Sequence, residues 1–187
     1  MSPTTNPTSI DLNAPCSRHL RWRDLIECGE TWARLASTPQ ACTNLPQHPE
    51  TWLGLQHLAQ AILDPLIDHF GRLDLTYCFA GAALTRHIRS RIAPALDQHA
   101  GSERNRAGQP ICPRLGQACD VRVPGLPAGE LATFIATHLP FDRLYLYEPD
   151  RPLHVSVGPE NRRVAYQMVL LPRGGRVPRR WAASGGR

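Results

Sequence analysis

The chain has 187 residues and a formal net charge of +5, and it contains no lysine: all 21 basic residues are arginines. Its length suits one domain of about 100–200 residues. The lack of lysine excludes Schiff-base lysine chemistry and the phosphate-binding GxxxxGK[ST] loop. The last sixteen residues, PRGGRVPRRWAASGGR, hold five arginines and no acid, so residues 1–171 sum to zero charge. The body is therefore not a basic nucleic-acid module, and a nucleic-acid partner is not expected.

The two ends of the chain are predicted to be disordered. Residues 1–17 are rich in Pro, Ser, Thr and Asn, and residues 172–187 are rich in Gly and Arg, so neither offers much apolar surface for folding. This leaves residues 18–171 as the folded domain. Neither a secretory signal nor a membrane span is evident, so the expected location is cytoplasmic. The six cysteines form no CxxC pair and are expected to be thiols in a reducing compartment.

The first half of the folded part is predicted to be mainly helical. Residues 17–36 indicate a first helix, although Gly29 weakens it by about 1 kcal/mol relative to alanine. Residues 48–71 carry the strongest pattern, with apolar side chains at three-and-four spacing and Gly71 as the end. Pro65 predicts a bend within this helix.

Strands dominate the remainder. Residues 72–79 read as a strand, residues 82–96 as a short helix ending near Pro94, and residues 97–114 as a loop-rich insertion. The last part of the chain then predicts strands over 116–123, 141–148, 152–158 and 162–171, and a helix over 127–139. The turn signal YEPDRPL between two of these strands favours antiparallel pairing. The expected fold class is α+β, with helices packed on one face of a mostly antiparallel sheet.

Three polar residues on the predicted strands could form a metal site. Asp120, Glu148 and His154 come together if their strands are neighbours, and alternation in LHVSV places His154 on the polar face. One carboxylate, one imidazole and one further ligand would hold zinc with a position open for water, and a nearby glutamate could accept the proton of that water. Each of the three residues also has a plain structural interpretation, as a hydrogen-bonded strand residue or a solvated turn residue.

Several segments in this order resemble a known family. NLPQHPETWLGLQHLAQAILDPLIDHFG, LTYCFAGAALTRHI, LGQACDV and FDRLYLYEPDRPLHVSV together resemble the zinc D-alanyl-D-alanine carboxypeptidases, which share their fold with the hedgehog signalling domain. The resemblance spans about residues 20–160. It implies a motif His-x-x-Gly-x-Ala-x-Asp, a later glutamate and a final histidine strand, with zinc as the cofactor. The implied substrate is a peptide or a peptidoglycan-like molecule.

The resemblance assigns roles to individual residues. It implies that Asp120 and His154 bind zinc and that Glu148 is the general base. Two positions depart from the family pattern. Pro113 stands where the first histidine ligand belongs, and Ala80 stands where an arginine would bind the carboxylate of the substrate.

The missing ligand has several candidate replacements. Cys112 lies one residue from the vacant position, and a thiolate is a normal zinc ligand. His99 and Glu103, from the insertion, are further candidates, since residues four apart share one face of a helix. Cys112 could equally be a buried thiol, and the two insertion residues could be solvated.

Three functions are compatible with this pattern. The first is a zinc-dependent peptidase or amidase with an altered metal site; Ala80 favours an internal amide over a free terminal carboxylate, since the guanidinium partner is missing. The second is a catalytically degenerate cytoplasmic binding module of the same fold. A third is thiol chemistry by Cys112 with His99 as its base.

Overall fold

The computed structural model describes residues 10–38, 43–88 and 93–182. The helices are α1 (Trp22–Ile26), α2 (Glu30–Ala36), α3 (Pro49–Leu58), α4 (Asp64–Phe70), α5 (Ala82–Thr85) and α6 (Ala128–His138). The strands are β1 (Asp74–Tyr77), β2 (Gln117–Arg122), β3 (Arg143–Leu146), β4 (Leu153–Val157), β5 (Val164–Leu170) and β6 (Arg176–Trp181). The predicted α+β class is confirmed.

The strands form one open sheet in the order β1-β2-β4-β3-β5-β6. β3 and β5 run parallel, and the other neighbouring pairs run antiparallel. The predicted antiparallel pairing of β3 with β4 through the YEPDRPL turn is confirmed. β2 and β4 are the two central partners that matter most for the site, because their register sets residues of the predicted metal motif directly opposite each other.

The predicted long helix spans α3 and α4 and contains a π-helical segment, Ala59–Leu63, between them. Pro65 follows that segment. A proline lacks the N–H and would crowd the carbonyl one turn earlier in a regular α-helix, and the wider π-helical turn relieves this crowding. Gly71 ends the helix with a positive φ of 78°.

The core lies between these helices and one face of the sheet. Apolar side chains of α3, α4 and α6 pack with alternate strand residues; the cluster includes Leu55, Leu58, Leu66, Leu131, Ile135, Cys119, Val121, Leu144, Leu153 and Val155. Because side chains alternate along a strand, the residues between them point to the opposite face. Asp120, His154 and Ser156 lie on that second face.

The predicted first helix is two helices. The prediction of one helix over 17–36 is wrong because Gly29 has a φ of 93°, outside the helical region. A Cβ at this position would lie 2.6 Å from the carbonyl oxygen of Thr76. Gly29 therefore breaks the helix and lets the backbone approach β1 closely.

The predicted disorder of the N-terminal segment is wrong for residues 10–17. Cys16 is buried in the core, and Ser17 Oγ donates a 2.8 Å hydrogen bond to the buried carboxylate of Asp64. A buried carboxylate needs such partners, and this requirement fixes the segment against α4. Residues 1–9 lie outside the described residues.

The predicted disorder of the C-terminal tail is wrong for residues 176–181. They form β6, which pairs along its length with β5, and Trp181 packs partly buried against the core. Backbone pairing and one tryptophan thus order a segment whose composition suggested the opposite. Residues 183–187 lie outside the described residues, as do residues 89–92 of the predicted 82–96 helix, of which α5 covers only the first turn. Among the described residues, no helix is both long and apolar enough to cross a membrane.

Candidate metal centre

Asp120 and His154 are brought together by the register of β2 and β4. The two residues are direct Cα partners in the antiparallel ladder, so their side chains lie on the same face of the sheet. His154 Nδ1 lies 2.9 Å from Asp120 Oδ1. The prediction that these strands adjoin and that His154 faces the polar side is confirmed.

His99 reaches the pair from the insertion that precedes β2. Its Nε2 lies 3.3 Å from Asp120 Oδ1, and its Nδ1 donates a 2.8 Å hydrogen bond to the carbonyl oxygen of Cys78. A carbonyl oxygen can only accept, so Nδ1 carries a proton and Nε2 is the atom directed at Asp120. This is the arrangement by which metal-binding histidines are oriented in proteins.

The backbone around His99 is also fixed. Its carbonyl oxygen accepts hydrogen bonds from Ala80 N at 3.1 Å and from Gln117 Nε2 at 3.2 Å. Gln98, its neighbour, is fully buried and donates to the carbonyl oxygen of Leu115 at 2.7 Å. The alternative interpretation of His99 as a solvated loop residue is wrong, because the insertion folds onto the polar face of the sheet and His99 is buried.

The charges of the three residues support one another. Burial alone would lower the pKa of His99, but the neighbouring Asp120 carboxylate outweighs burial and raises that pKa to about 9. Burial would likewise raise the pKa of Asp120, yet His99 and His154 hold it well below its ordinary value. The site thus favours an ionised carboxylate between two imidazoles.

The spacing of the donor atoms fits a tetrahedral metal. One ligand atom from each of His99, Asp120 and His154 lies within 4.8 Å of the others. Zinc bonds to nitrogen and oxygen of about 2.0–2.1 Å place neighbouring tetrahedral donors about 3.3 Å apart. The 3.3 Å separation of His99 Nε2 from Asp120 Oδ1 is close to that value, and the 2.9 Å separation of His154 Nδ1 from the same oxygen is shorter. A buried His-Asp-His triad that could hold a metal ion is therefore present.

Two tyrosines flank the triad. The ring of Tyr77 lies 4.2 Å from that of His99, and the ring of Tyr145 lies 5.1 Å from that of His154. Arg114 Nη1 donates a 2.9 Å hydrogen bond to the hydroxyl of Tyr145. These tyrosines were missed in the sequence, although the alternation in RLYLY could have placed Tyr145 on the same face as His154.

Part of the triad is left without a partner. His154 Nε2 is buried and makes no hydrogen bond to any described residue. A buried polar nitrogen without a partner is costly, but this Nε2 is a different ring atom from the Nδ1 that faces Asp120, so it is not one of the atoms used for the donor spacing. The side chain of Asp120 is still 27% exposed, so the triad can be reached from solvent.

Cys112 and Glu103 do not join the triad. Cys112 is completely buried and contributes no atom to the cluster. Glu103 is buried, but its carboxylate accepts hydrogen bonds from Gln47 N, His48 N and Thr51 Oγ1 at the start of α3. Of the predicted replacements for the missing ligand, the structure brings only His99 to Asp120 and His154. His99 uses both ring nitrogens elsewhere, which contradicts a His99–Cys112 catalytic pair.

Glu148 is paired with arginine. It follows β3 in the turn to β4, and its Oε1 lies 2.6 Å from Arg176 Nη2 on β6. Hydrogen bonding from Arg176 lowers the pKa of Glu148. The structure therefore does not bring the predicted base into the triad.

The two positions that depart from the carboxypeptidase pattern differ in their relation to His99. Pro113 is exposed and supplies no ligand atom, while His99 offers a third atom to the group that could hold a metal ion. Ala80 is buried, and its N–H holds the carbonyl of His99. Ala80 is thus packed beside the residue that brings a second imidazole to Asp120, and an arginine side chain would not fit at this buried position.

No relative was found. Comparisons of the chain with models of known families, with curated proteins and with solved structures gave no match. The likeness to zinc D-alanyl-D-alanine carboxypeptidases thus rests on the quoted motif residues.

Proposed function

We propose that the protein is a zinc-dependent hydrolase that cleaves an amide bond, with His99, Asp120 and His154 as its metal ligands. The observation that carries the proposal is the convergence of these three side chains, from the insertion, β2 and β4, within 4.8 Å. Residues so far apart in the sequence meet here with ligand-type atoms directed at one another. Two of the three are also buried at 3% exposure.

The donor set supports zinc in particular. Two imidazoles and one carboxylate form a three-residue set typical of catalytic zinc sites, which keep a fourth position open. Zinc in such a site supplies a Lewis acid and lowers the pKa of a bound water. The Cys78 carbonyl fixes which nitrogen His99 offers, and the exposed edge of Asp120 leaves an approach for a substrate.

The kind of bond is inferred from the family resemblance together with Ala80. The resemblance implies an amide, and peptidoglycan peptides are its substrate class. The position that would bind a terminal carboxylate is a buried alanine whose N–H bonds His99. A substrate cut within its chain, rather than at a free D-alanine end, is the better match.

A second function is favoured by the state of Glu148. A carboxylate held by Arg176, with a lowered pKa, is a weak general base. If no other group accepts a proton, the protein binds metal and peptide without turnover. This is the catalytically degenerate binding module of the same fold.

Hydrolysis of a peptidoglycan peptide separates the two functions. Zinc-loaded protein is incubated with purified muropeptides, and new amine ends are counted by mass spectrometry. The hydrolase predicts cleavage that is lost in His154→Ala, with Cys112→Ser as the matched control that keeps activity. Cleavage that survives in His154→Ala would contradict the hydrolase, and zinc binding without cleavage of any muropeptide would support the binding module.

The role of Glu148 needs its own variant. Glu148→Gln keeps the size of the side chain and its contact with Arg176 while removing the basic carboxylate. If Glu148 is the base, this variant binds zinc and loses at least about 100-fold in kcat. Unchanged turnover would exclude Glu148 from the reaction.

A further inference from the structure

A row of directly paired residues crosses the whole sheet through the metal centre. Strand by strand, the Cα partners are Tyr77, Asp120, His154, Tyr145, Tyr166 and Arg180. Paired residues share a face, so the row lies on the side opposite the core helices. One half of the row belongs to the metal centre. The other half, Tyr145, Tyr166 and Arg180, is called the tyrosine–arginine arm below.

We propose that the tyrosine–arginine arm binds an acidic segment of an extended peptide whose amide bond lies at the metal centre. The inference rests on the proposed function only in that the peptide is the substrate of that centre. It adds where the substrate lies and which charge it carries.

The two tyrosines provide a flat apolar surface next to the metal ligands. The rings of Tyr145 and Tyr166 are stacked, with centroids 5.8 Å apart and planes inclined by 17°. Both side chains are partly exposed. Tyr145 also lies against His154, so the surface is continuous with the metal centre. Rigid aromatic rings bury contact area at low cost in conformational entropy, which suits them to peptide binding.

Arg180 gives the far end of the arm a positive charge. It is exposed on β6, and none of the ion pairs among the described residues uses Arg173, Arg179 or Arg180. From residue 161 to the end, the sequence has seven arginines and no acid. A positive charge at the end of a binding surface favours a ligand with an anionic group at that point.

The length of the arm sets the spacing of that anionic group. Three steps between neighbouring strands, from His154 to Arg180, cover about 14 Å at about 4.7–4.9 Å each. An extended peptide spans about 3.3–3.6 Å per residue. The acidic residue is therefore expected about four positions from the amide bond at the metal centre.

A peptide fits these features better than a nucleic acid. Residues 1–171 have no net charge, so the excess of positive charge is carried by the C-terminal part of the chain. Nucleic-acid sites carry several phosphate contacts along a basic surface, whereas the arm ends in one arginine that lies in the row.

The test compares two neighbouring arginines of the same strand. Arg180 lies in the row, whereas Arg179 pairs with Gln167 and points to the opposite face. Both are exposed, and Arg179→Gln removes the same charge as Arg180→Gln. Fluorescence anisotropy measures binding of a fluorescein-labelled extended peptide with one glutamate, and of its glutamine analogue. The full chain is used both with zinc and after chelation.

The arm predicts that Arg180→Gln weakens binding of the glutamate peptide by about 3- to 10-fold. Arg179→Gln should change it by less than about 2-fold, and the glutamine peptide should bind the wild type and Arg180→Gln alike. Tyr166→Ala should weaken both peptides, and Tyr166→Phe should restore them.

Equal effects of Arg179→Gln and Arg180→Gln on binding of the glutamate peptide would overturn the proposal. It would also be overturned if the wild type bound the glutamate and glutamine peptides equally well, or bound neither. Tighter binding of oligothymidylate or phosphatidylglycerol vesicles than of the peptide would also overturn it. Failure of the proposed function looks different: the chain would not bind zinc, while the Arg180-dependent preference for glutamate persisted after chelation.

Discussion

At the scale of single residues, Asp120 is the centre of the site. It is the common partner of both imidazoles, at 3.3 Å from His99 Nε2 and 2.9 Å from His154 Nδ1. The carboxylate makes both contacts through the same oxygen, Oδ1, and none of the hydrogen bonds among the described residues uses its second oxygen. A metal ion would replace the proton that now lies between His99 and Asp120, since ligands must be deprotonated to bind.

Zinc binding should therefore depend on pH. The pKa of His99 is raised from 6.5 to about 9, so His99 holds a proton at neutral pH that zinc must displace. Zinc affinity is expected to rise as the pH rises from about 6.5 to about 9, with release of a proton on binding. Titration calorimetry in buffers of different ionisation enthalpy measures both quantities.

The stability of the metal-free protein should depend on pH in the opposite direction to its zinc affinity. The stabilisation that the His99–Asp120 contact gives is complete below pH 6.5 and is lost as the pH rises through about 9. Unfolding of the metal-free protein at a series of pH values measures this loss. His57→Gln, on the exposed side of α3, serves as a control in which the dependence of stability on pH should stay the same. A zinc affinity that is constant across this range would contradict protonation of His99.

At the scale of secondary-structure elements, Glu103 holds the segment that leads into α3. Its buried carboxylate accepts hydrogen bonds from two backbone N–H groups, of Gln47 and His48, and from the Thr51 hydroxyl. The contacts tie the insertion that carries His99 to the longest helical region. Glu103→Ala should lower the free energy of unfolding by about 1–3 kcal/mol, since the buried Thr51 hydroxyl and two partly buried backbone N–H groups lose their acceptor.

Denaturant unfolding of Glu103→Ala and Glu50→Gln measures this effect. Glu50 is an exposed acid in the first turn of the same helix, and its substitution should cost no more than about 0.5 kcal/mol. Zinc stoichiometry of the folded Glu103→Ala variant should stay unchanged. Loss of zinc without loss of stability would instead make Glu103 a ligand.

The last strand, β6, contributes to the stability of the fold although its composition is polar. β6 pairs with β5 over its length, and Trp181 packs at the edge of the core. Trp181→Ala is expected to destabilise the protein by about 1–3 kcal/mol, less than a fully buried tryptophan would cost. Thermal unfolding beside Trp181→Phe, which keeps a ring at this position, measures the effect. Equal stability of Trp181→Ala and wild type would mean that the Trp181 ring contributes nothing to the stability of the fold.

At the scale of the whole molecule, the sequence predicts the main helices and strands better than it predicts where a helix breaks or whether a polar end of the chain is ordered. Periodicity identified the long helix, α6 and the strands that carry Asp120 and His154, because apolar side chains at those positions had to face one core. It could not show that Gly29 takes a positive φ, since only the approach to Thr76 makes that conformation necessary. The Gly- and Arg-rich composition of residues 172–187 wrongly predicted disorder for β6, because the backbone pairing with β5 that orders this strand does not depend on side-chain type.

The candidate site was predicted in part for a related reason. Strand alternation and the family resemblance placed Asp120 and His154 correctly on one face. They left His99 as one of several candidates, because its contribution depends on how the insertion folds over the sheet through Gln98 and the Ala80 N–H. Glu148 was assigned from its place in the chain, and its pairing with Arg176 depends on β6, which was not predicted.

The most direct measurement of the central claim is the metal content of the purified, tag-free chain. Mass spectrometry would count zinc per chain for wild type, His99→Ala, His154→Ala and Cys112→Ser. The site predicts one zinc per chain in wild type and Cys112→Ser, and loss of zinc in both histidine variants, because neither remaining pair can replace the third ligand. Zinc that is lost in Cys112→Ser but kept in His99→Ala, or a wild type that binds no zinc when metal is supplied, would contradict the His99–Asp120–His154 centre.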